Sequence, residues 1–173
     1  MQTVTHFVGI DEVGRGPIAG PLTVCACKVS YTFDFSRFKG IKDSKKLSPK
    51  KREEWLVKIS GFRARGELDF AVSSVSATEI DKIGVAFAIK KALSRALETL
   101  ALAPESTLIK LDGALRAPEK FLFQETIIKG DEKIPIISAA SIVAKVMRDR
   151  HMTRQTKLYP LYGFEKHKGY GTK

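Results

Sequence analysis

The sequence predicts an α/β fold, because strand-like and helix-like segments alternate along the chain. Short runs rich in β-branched residues and free of helix breakers predict strands at residues 4–10, 22–30, 68–75, 107–111 and 121–128. Longer segments with helical spacing or caps predict helices from residue 49 to about 59, over 76–83 and 85–102, and over 138–158. Only a short turn separates the first two strands, so we expect them to pair antiparallel.

Capping residues indicate where two of the helices begin. Ser48 followed by Pro49 is typical of an N-cap with proline at the first helical position. Ser76 stands three residues before Glu79, which is the spacing of a capping box. Both helices should therefore begin at these points.

The predicted helix at residues 138–158 changes character along its length. Its first half consists mostly of small and apolar residues and should be buried. Its second half is basic, and we expect it to face solvent or a polyanion through Arg148, Arg150, Arg154 and Lys157.

The chain is strongly basic. Its 173 residues contain 30 Lys and Arg against 19 Asp and Glu, a formal net charge of +11. Such an excess favours a nucleic-acid partner, although a lysine-rich solvated surface would give the same total. The length suits one domain spanning residues 1–173.

Cysteine usage and hydropathy bear on location. Cys25 and Cys27 lie two residues apart in a predicted strand, so their side chains share a face, and we expect buried, reduced thiols. The N-terminal sequence lacks the pattern of a secretory signal, and no apolar run approaches the ~20 residues that span a bilayer. We therefore expect a cytoplasmic protein without a membrane partner.

Acidic residues beside glycines follow three apolar strands. Asp11 and Glu12 precede the turn Gly14-Arg15-Gly16, Asp112 precedes Gly113, and Asp131 follows Gly130. Strand ends commonly gather functional groups, and clustered carboxylates repel unless a cation offsets their charge. Carboxylate oxygens suit Mg²⁺ or Mn²⁺, and two such ions support phosphodiester hydrolysis.

Other motifs are weaker. Lys45 and Lys46 lie in a lysine-rich segment that is either a solvated loop or a phosphate-binding edge of the site. The glycines at residues 14–16 formally match a dinucleotide-binding pattern, but Pro17 and the β-rich run that follows exclude the helix this pattern requires.

Several segments together closely resemble the ribonuclease HII family, the type 2 ribonucleases H. The matching segments are GIDEVGRGPIAGPL at 9–22, KDSKKLSPKKRE at 42–53, Asp112-Gly113, KGDEKIPIISAASIVAKVMRDR at 129–150 and YPLYGFEKHKGYGT at 159–172. The resemblance implies a ribonuclease H-like fold: a mixed five-stranded sheet flanked by helices, with its first three strands antiparallel.

The resemblance also implies an activity and a set of site residues. Asp11, Glu12, Asp112 and Asp131 match the family's metal-binding carboxylates. Family members cut RNA in RNA/DNA hybrids and incise duplex DNA 5′ of embedded ribonucleotides, leaving 3′-hydroxyl and 5′-phosphate ends. The implied substrate-binding residues are Gly14, Arg15 and Gly16 at the ribose 2′-hydroxyl, Tyr170 on the neighbouring sugar, Lys45 and Lys46 near phosphates, and Ser138 and Lys145.

Some alternatives stay open on the sequence alone. Ser138, Ser141 and Lys145 could equally serve helix packing. Another ribonuclease H-like nuclease, or a module that binds hybrid duplexes without cutting them, would share part of the pattern. Family members commonly continue past the HKGYGT motif into a helical extension, which we expect this chain to lack. We also expect a monomer.

Overall fold

The computed structural model describes residues 3–41 and 44–171. Within these ranges one five-stranded sheet has the order β3-β2-β1-β4-β5. The strands are β1 His6–Val13, β2 Leu22–Ser30, β3 Leu68–Val75, β4 Thr107–Asp112 and β5 Gln124–Ile127. The helices are α1 Pro49–Ala64, α2 Ala77–Ile83, α3 Val85–Thr99, α4 Gly130–Lys133, α5 Pro135–Gln155 and α6 Phe164–His167.

The sheet is mixed, as predicted. β1 pairs antiparallel with β2, and β2 pairs antiparallel with β3. β1 pairs parallel with β4, and β4 pairs parallel with β5. Because Ile10 lies opposite Leu111, the carboxyl ends of β1 and β4 meet at one edge of the sheet.

Two apolar cores cover the two faces of the sheet. One face packs against α3, with residues such as Val8, Val24 and Leu93 wholly or almost wholly buried. The other face packs against α1 and the apolar half of α5, as predicted for that half. Gly9 permits this second contact, because a Cβ at Gly9 would lie 2.5 Å from the backbone carbon of Ile136. The N-terminal half of α5 is therefore held directly against β1.

The predicted caps are confirmed. Ser48 accepts a hydrogen bond from the amide of Lys51, and Ser76 accepts one from the amide of Glu79. Cys25 and Cys27 are buried, with their sulfur atoms 3.8 Å apart.

Several boundaries differ from the prediction. β1 continues through the acidic pair to Val13, because its ladder with β2 extends to the pair Val13–Thr23. α1 runs on to Ala64, and α3 stops at Thr99. α5 begins at Pro135, where proline suits the first helical position, and ends at Gln155.

The fifth strand is shorter than predicted. The side chain of Gln124 bonds the amide of Ala117 and the carbonyl oxygens of Ala117 and Phe121. These bonds close a loop before the strand, so Phe121 enters the core without joining the ladder.

The prediction that Arg148 faces solvent is wrong. Its side chain is 1% exposed and donates hydrogen bonds to three backbone carbonyl groups. Arg150 and Arg154 are exposed, as predicted. No helix among residues 3–41 and 44–171 has both the length and the apolar composition needed to cross a bilayer.

Candidate active site

Parallel pairing of β1 and β4 brings two of the predicted acids side by side. Asp11 and Asp112 each follow the paired residues Ile10 and Leu111, so they occupy equivalent positions on neighbouring strands. Asp112 ends β4, and Asp11 lies on the face of β1 that packs against α5. The edge of the sheet thus supplies two carboxylates.

The third acid is positioned by hydrogen bonds to the second. Asp112 Oδ1 accepts hydrogen bonds from the amides of Gly130 (2.6 Å) and Asp131 (3.3 Å) at the start of α4. The Ser138 hydroxyl donates to the carbonyl oxygen of Asp131 at 2.7 Å, which ties α4 to α5. These bonds hold Asp131 beside Asp112.

Asp11, Asp112 and Asp131 form a compact cluster. One carboxylate oxygen from each lies within 4.8 Å of the others, which among the described residues marks a group able to hold a metal ion. Asp11 is 5% exposed and Asp131 is 4% exposed. Two unit charges at this separation repel by about 3–4 kcal/mol at an effective dielectric constant of about 20.

The electrostatics fit a cation. Burial and the charge of Glu12 raise the pKa of Asp11 well above its usual range, and the nearby Ser141 hydroxyl partly opposes this. Burial and the charge of Asp112 likewise raise the pKa of Glu12. Oxygen ligands of this kind suit Mg²⁺ or Mn²⁺, whose charge would offset the repulsion, so the residues present fit such an ion.

Glu12 stands apart from the compact cluster of three. It follows Asp11 on β1, so its side chain leaves the opposite face of the strand. Its amide donates to Asp11 Oδ1 at 2.7 Å, and the charge of Asp112 acts on its carboxyl group. The Asp11 side chain also hydrogen-bonds the Glu12 carboxyl group, so Glu12 borders the cluster.

The predicted lysines lie against the acids. Lys45 Nζ is 3.8 Å from Asp131 Oδ2, and Lys46 Nζ is 2.6 Å from Glu132 Oε2. Their 3₁₀ turn, Ser44–Lys46, is anchored by a 2.8 Å hydrogen bond between the hydroxyls of Ser44 and Ser141. Lys42 lies outside the described residues.

In the turn after β1, residues 14–21, Gly14 is tightly packed and Gly16 is open. Gly14 has φ +98°, and a Cβ there would lie 2.4 Å from the carbonyl oxygen of Pro21. At Gly16 a Cβ would meet no described atom within 4 Å, and Arg15 is exposed. The backbone at Gly16 is therefore accessible to a ligand.

Tyr170 and Lys145 meet beside this turn. Tyr170 is 39% exposed, and Lys145 Nζ lies 5.0 Å from its ring centroid. Lys145 also pairs with Asp149 at 2.9 Å. The buried Ser138 hydroxyl donates to the carbonyl oxygen of Asp131, so its role in this structure is to anchor α4 on α5.

The sequence analysis named Arg148 but missed its role at this site. Arg148 lies beneath the glycine turn and faces the Tyr170 ring at 5.6 Å. A signal for it was present: Ser138, Ser141, Lys145 and Arg148 are spaced by three and four, which places them on one side of a helix.

Solved structures similar to this fold include several ribonucleases H. The ribonuclease H2 from Pyrococcus horikoshii OT3 has a TM-score of 0.74 and 30% identity, covering 96% of this chain and 81% of that chain. RNase HII from Archaeoglobus fulgidus, solved as a complex with PCNA, has a TM-score of 0.70 and 30% identity over the same shares. Bst-RNase HIII, solved with Mn²⁺, shares the fold at a TM-score of 0.69 and 20% identity, covering 93% of this chain and 57% of that chain. The chain is thus a ribonuclease H-like α/β protein.

Sequence comparison narrows this class. The family model for Ribonuclease HII matches residues 8–173, and the chain belongs to that family. Ribonuclease HII of Shouchella clausii is 43% identical over 95% of this chain and 59% of its own length. That of Caldicellulosiruptor saccharolyticus is 43% identical over 95% of this chain and 76% of its own length, and that of Shewanella pealeana is 44% identical over 98% and 79%. The chain thus spans between about three fifths and four fifths of these relatives.

Proposed function

We propose that the protein is a metal-dependent endonuclease of the type 2 ribonuclease H kind. Its substrates would be RNA/DNA hybrids and duplex DNA containing embedded ribonucleotides, incised on the 5′ side to leave 3′-hydroxyl and 5′-phosphate ends. The observation that carries this proposal is the clustering of Asp11, Asp112 and Asp131 within 4.8 Å at one sheet edge. Membership of the ribonuclease HII family supports it.

The proposed catalytic and metal-binding residues are Asp11, Glu12, Asp112 and Asp131. Mg²⁺ or Mn²⁺ bound here would activate the attacking water and stabilise the leaving oxygen. The chain's own contribution is rigid placement of the carboxylates: β1 and β4 fix Asp11 and Asp112, and the amides of α4 orient Asp112. Glu12, next to Asp11 on β1, would complete the set.

The proposed substrate contacts surround the acids. The backbone of Gly14, Arg15 and Gly16, which is open at Gly16, would bond the ribose 2′-hydroxyl, which distinguishes RNA from DNA. Tyr170 would pack on the adjacent sugar. Lys45, Lys46 and Lys145 would bind phosphates near the cleaved bond. Ser138 would hold α4 in place.

We also infer one domain over residues 1–173 that acts as a monomer. The carboxylate cluster and its supporting elements belong to a single sheet and a single chain, which supports this. One thermal transition, together with the monomer mass by light scattering, is the expected result. Two transitions or a dimer mass would contradict it.

Cleavage of defined duplexes tests the proposed function. The substrates are a labelled DNA duplex with one ribonucleotide, an all-DNA duplex and an RNA/DNA hybrid, each with Mg²⁺, Mn²⁺ or chelator. We expect metal-dependent incision 5′ of the ribonucleotide and within the hybrid, and an intact all-DNA duplex. Cutting of all-DNA duplex would indicate a different ribonuclease H-like nuclease, and binding without any cutting would indicate a hybrid-binding module.

A further inference from the structure

Arg148 is a cation buried without a carboxylate bond among the described residues. Its Nε donates to the carbonyl oxygen of Pro21 at 2.9 Å, one terminal nitrogen to Ala19 at 3.0 Å, and the other to Lys168 at 2.9 Å. Burial lowers its pKa from the usual arginine range, which reflects the cost of placing the charge there. Three carbonyl dipoles and the face of Tyr170 offset that cost.

The carbonyl groups that Arg148 binds belong to two segments far apart in sequence. We call residues 14–21 the glycine turn and residues 167–170 the tyrosine turn. They also bond each other directly, because the carbonyl oxygen of Gly169 accepts hydrogen bonds from the amides of Ile18 (2.9 Å) and Ala19 (3.2 Å). The two turns and Arg148 thus form one joint.

Glycines allow this joint to close. Gly20, at φ +96°, has no room for a Cβ, which would lie 2.4 Å from Met152 Sδ. A Cβ at Gly169, at φ +85°, would lie 2.2 Å from the carbonyl oxygen of Ala19. The same Arg148 guanidinium lies 2.8 Å from the place a Cβ would take on Gly14. Both turns are therefore packed in a single relative position.

We propose that Arg148 is a positioning residue that fixes the spacing between the glycine turn and the tyrosine turn, and so sets recognition of a single ribonucleotide. This inference rests on the proposed function. The glycine turn would bind one ribose, and Tyr170 would pack on the next sugar. In a duplex with a single ribonucleotide, both contacts can form at once only when the two turns keep their spacing. In a tract of ribonucleotides every sugar is a ribose, so a displaced glycine turn would still meet a 2′-hydroxyl.

Arginine suits this position better than lysine does. Its planar guanidinium presents donors in a fixed fork, which can reach three carbonyl groups in different directions. A lysine at residue 148 would keep the charge, but its single ammonium cannot span all three acceptors. Arg148→Lys should therefore loosen the joint while the carboxylate cluster on β1, β4 and α4 stays in place.

The test compares Arg148→Lys with the parent and with Arg95→Lys, which changes an exposed arginine on α3. The first readout is kcat/KM on the single-ribonucleotide duplex divided by kcat/KM on the RNA/DNA hybrid. We expect this ratio to fall at least tenfold in Arg148→Lys and to stay within twofold in Arg95→Lys. The thermal shift on adding Mn²⁺ should match that of the parent, because the metal ligands are untouched.

A second variant and a second readout keep the outcomes distinct. Gly169→Ala disturbs the same contact from the tyrosine turn, and we expect it to lower the ratio in the same way. This variant replaces Arg148→Lys if Arg148→Lys does not fold. Amide hydrogen exchange should accelerate in residues 14–21 and 167–170 together. An unchanged ratio in a folded variant overturns the inference. If the parent itself does not incise at the ribonucleotide, the proposed function fails. Amide hydrogen exchange then tests the role of Arg148 alone: an exchange rate in Arg148→Lys that is unchanged at either turn overturns the inference.

Discussion

At the scale of single residues, Asp11 shows the conflict between stability and function. Its carboxyl group is buried beside like charges, so its pKa in the folded protein lies above the unfolded value. The folded state then binds more protons than the unfolded state. The metal-free protein therefore loses stability as pH rises through the folded pKa of Asp11, and keeps this contribution below the unfolded pKa.

Asp11→Asn should stabilise the metal-free protein and abolish cleavage. Near neutral pH we expect a gain of about 1 kcal/mol, which is a rise in Tm of about 2–4 °C for a chain of this size. The gain should vanish at acidic pH, where Asp11 is protonated. Thermal denaturation across pH measures this.

The matched control for that variant is Asp69→Asn, which alters an acid of β3 that pairs with Arg63 away from the cluster. It should leave cleavage unchanged. Equal metal-free stability of the parent and Asp11→Asn from acidic to basic pH would contradict the account of Asp11.

Gly16→Ala should separate recognition from stability. A Cβ at Gly16 meets no described atom within 4 Å, so we expect a change in the free energy of unfolding within about 0.5 kcal/mol. The methyl group would occupy the space through which a ribose approaches the backbone. Incision at a single ribonucleotide should fall about tenfold or more, and steady-state kinetics with thermal denaturation would show it. Full activity would rule out close approach at Gly16.

At the scale of elements, the contact between β1 and α5 positions the site. Gly9 brings the backbone of α5 against the strand that carries Asp11, and α5 in turn holds Ser138 and Ser141. The close packing of these two elements leaves no room for a side chain at residue 9. A single methyl group should therefore disturb both the core and the carboxylates.

Gly9→Ala should destabilise the fold and lower activity. An added Cβ would lie 2.5 Å from backbone atoms of Ile136, which can only yield by shifting α5. We expect a loss of about 1–3 kcal/mol, measured by urea denaturation. Gly61→Ala in α1 is the control: its Cβ would make an ordinary 3.4 Å contact, and the helix should gain up to about 1 kcal/mol. Equal stability of the two variants would refute the role of Gly9.

The elements were predictable where local chemistry sets them. β2 and β3 match their predicted limits, and the Ser48 and Ser76 caps form, because strand propensity and capping are properties of short segments. The extension of β1 to Val13 depends on its ladder with β2, which no local pattern records. Arg148 was misread for a related reason: its carbonyl partners lie 127 and 129 residues earlier in the chain, and 20 later.

At the scale of the whole molecule, a strongly basic chain carries a compact acidic site. The acidic cluster lies at the sheet edge, although the chain carries a net charge of +11. An open groove of about 870 Å³ between α1, α5 and α6 is lined by more basic than acidic side chains: Arg52, Lys145, Arg150, Arg154, Lys166 and Lys168 against Glu53, Asp149 and Glu165. Basic surface of this kind would hold a polyanion while the acids hold cations.

Duplex binding should therefore depend strongly on salt. Each phosphate that a lysine or arginine neutralises releases counterions, so affinity falls as a power of salt concentration. With Asp112→Asn to prevent cutting, we expect log affinity to fall linearly with log salt, with a slope steeper than about −2. Fluorescence anisotropy measures it, and an affinity insensitive to salt would contradict an electrostatic binding surface.

Sequence patterns could predict which acids belong to the site, but not that these acids lie close together in the fold. Asp11, Asp112 and Asp131 each stood out beside glycines after apolar strands. Their convergence depends on the parallel pairing of β1 with β4, two strands separated by about a hundred residues, and on the amides of α4 that bind Asp112. The resemblance to ribonuclease HII anticipated that convergence, which local patterns alone left open.

Direct titration with Mn²⁺ tests the central claim, that these three acids together form one metal site. Calorimetry would compare the parent with Asp112→Asn and with Asp69→Asn. We predict that Asp112→Asn binds Mn²⁺ at least tenfold more weakly, because Asp112 supplies one of the three clustered carboxylates, and that Asp69→Asn binds as the parent does. Equal binding by all three proteins would place the metal elsewhere and contradict the account.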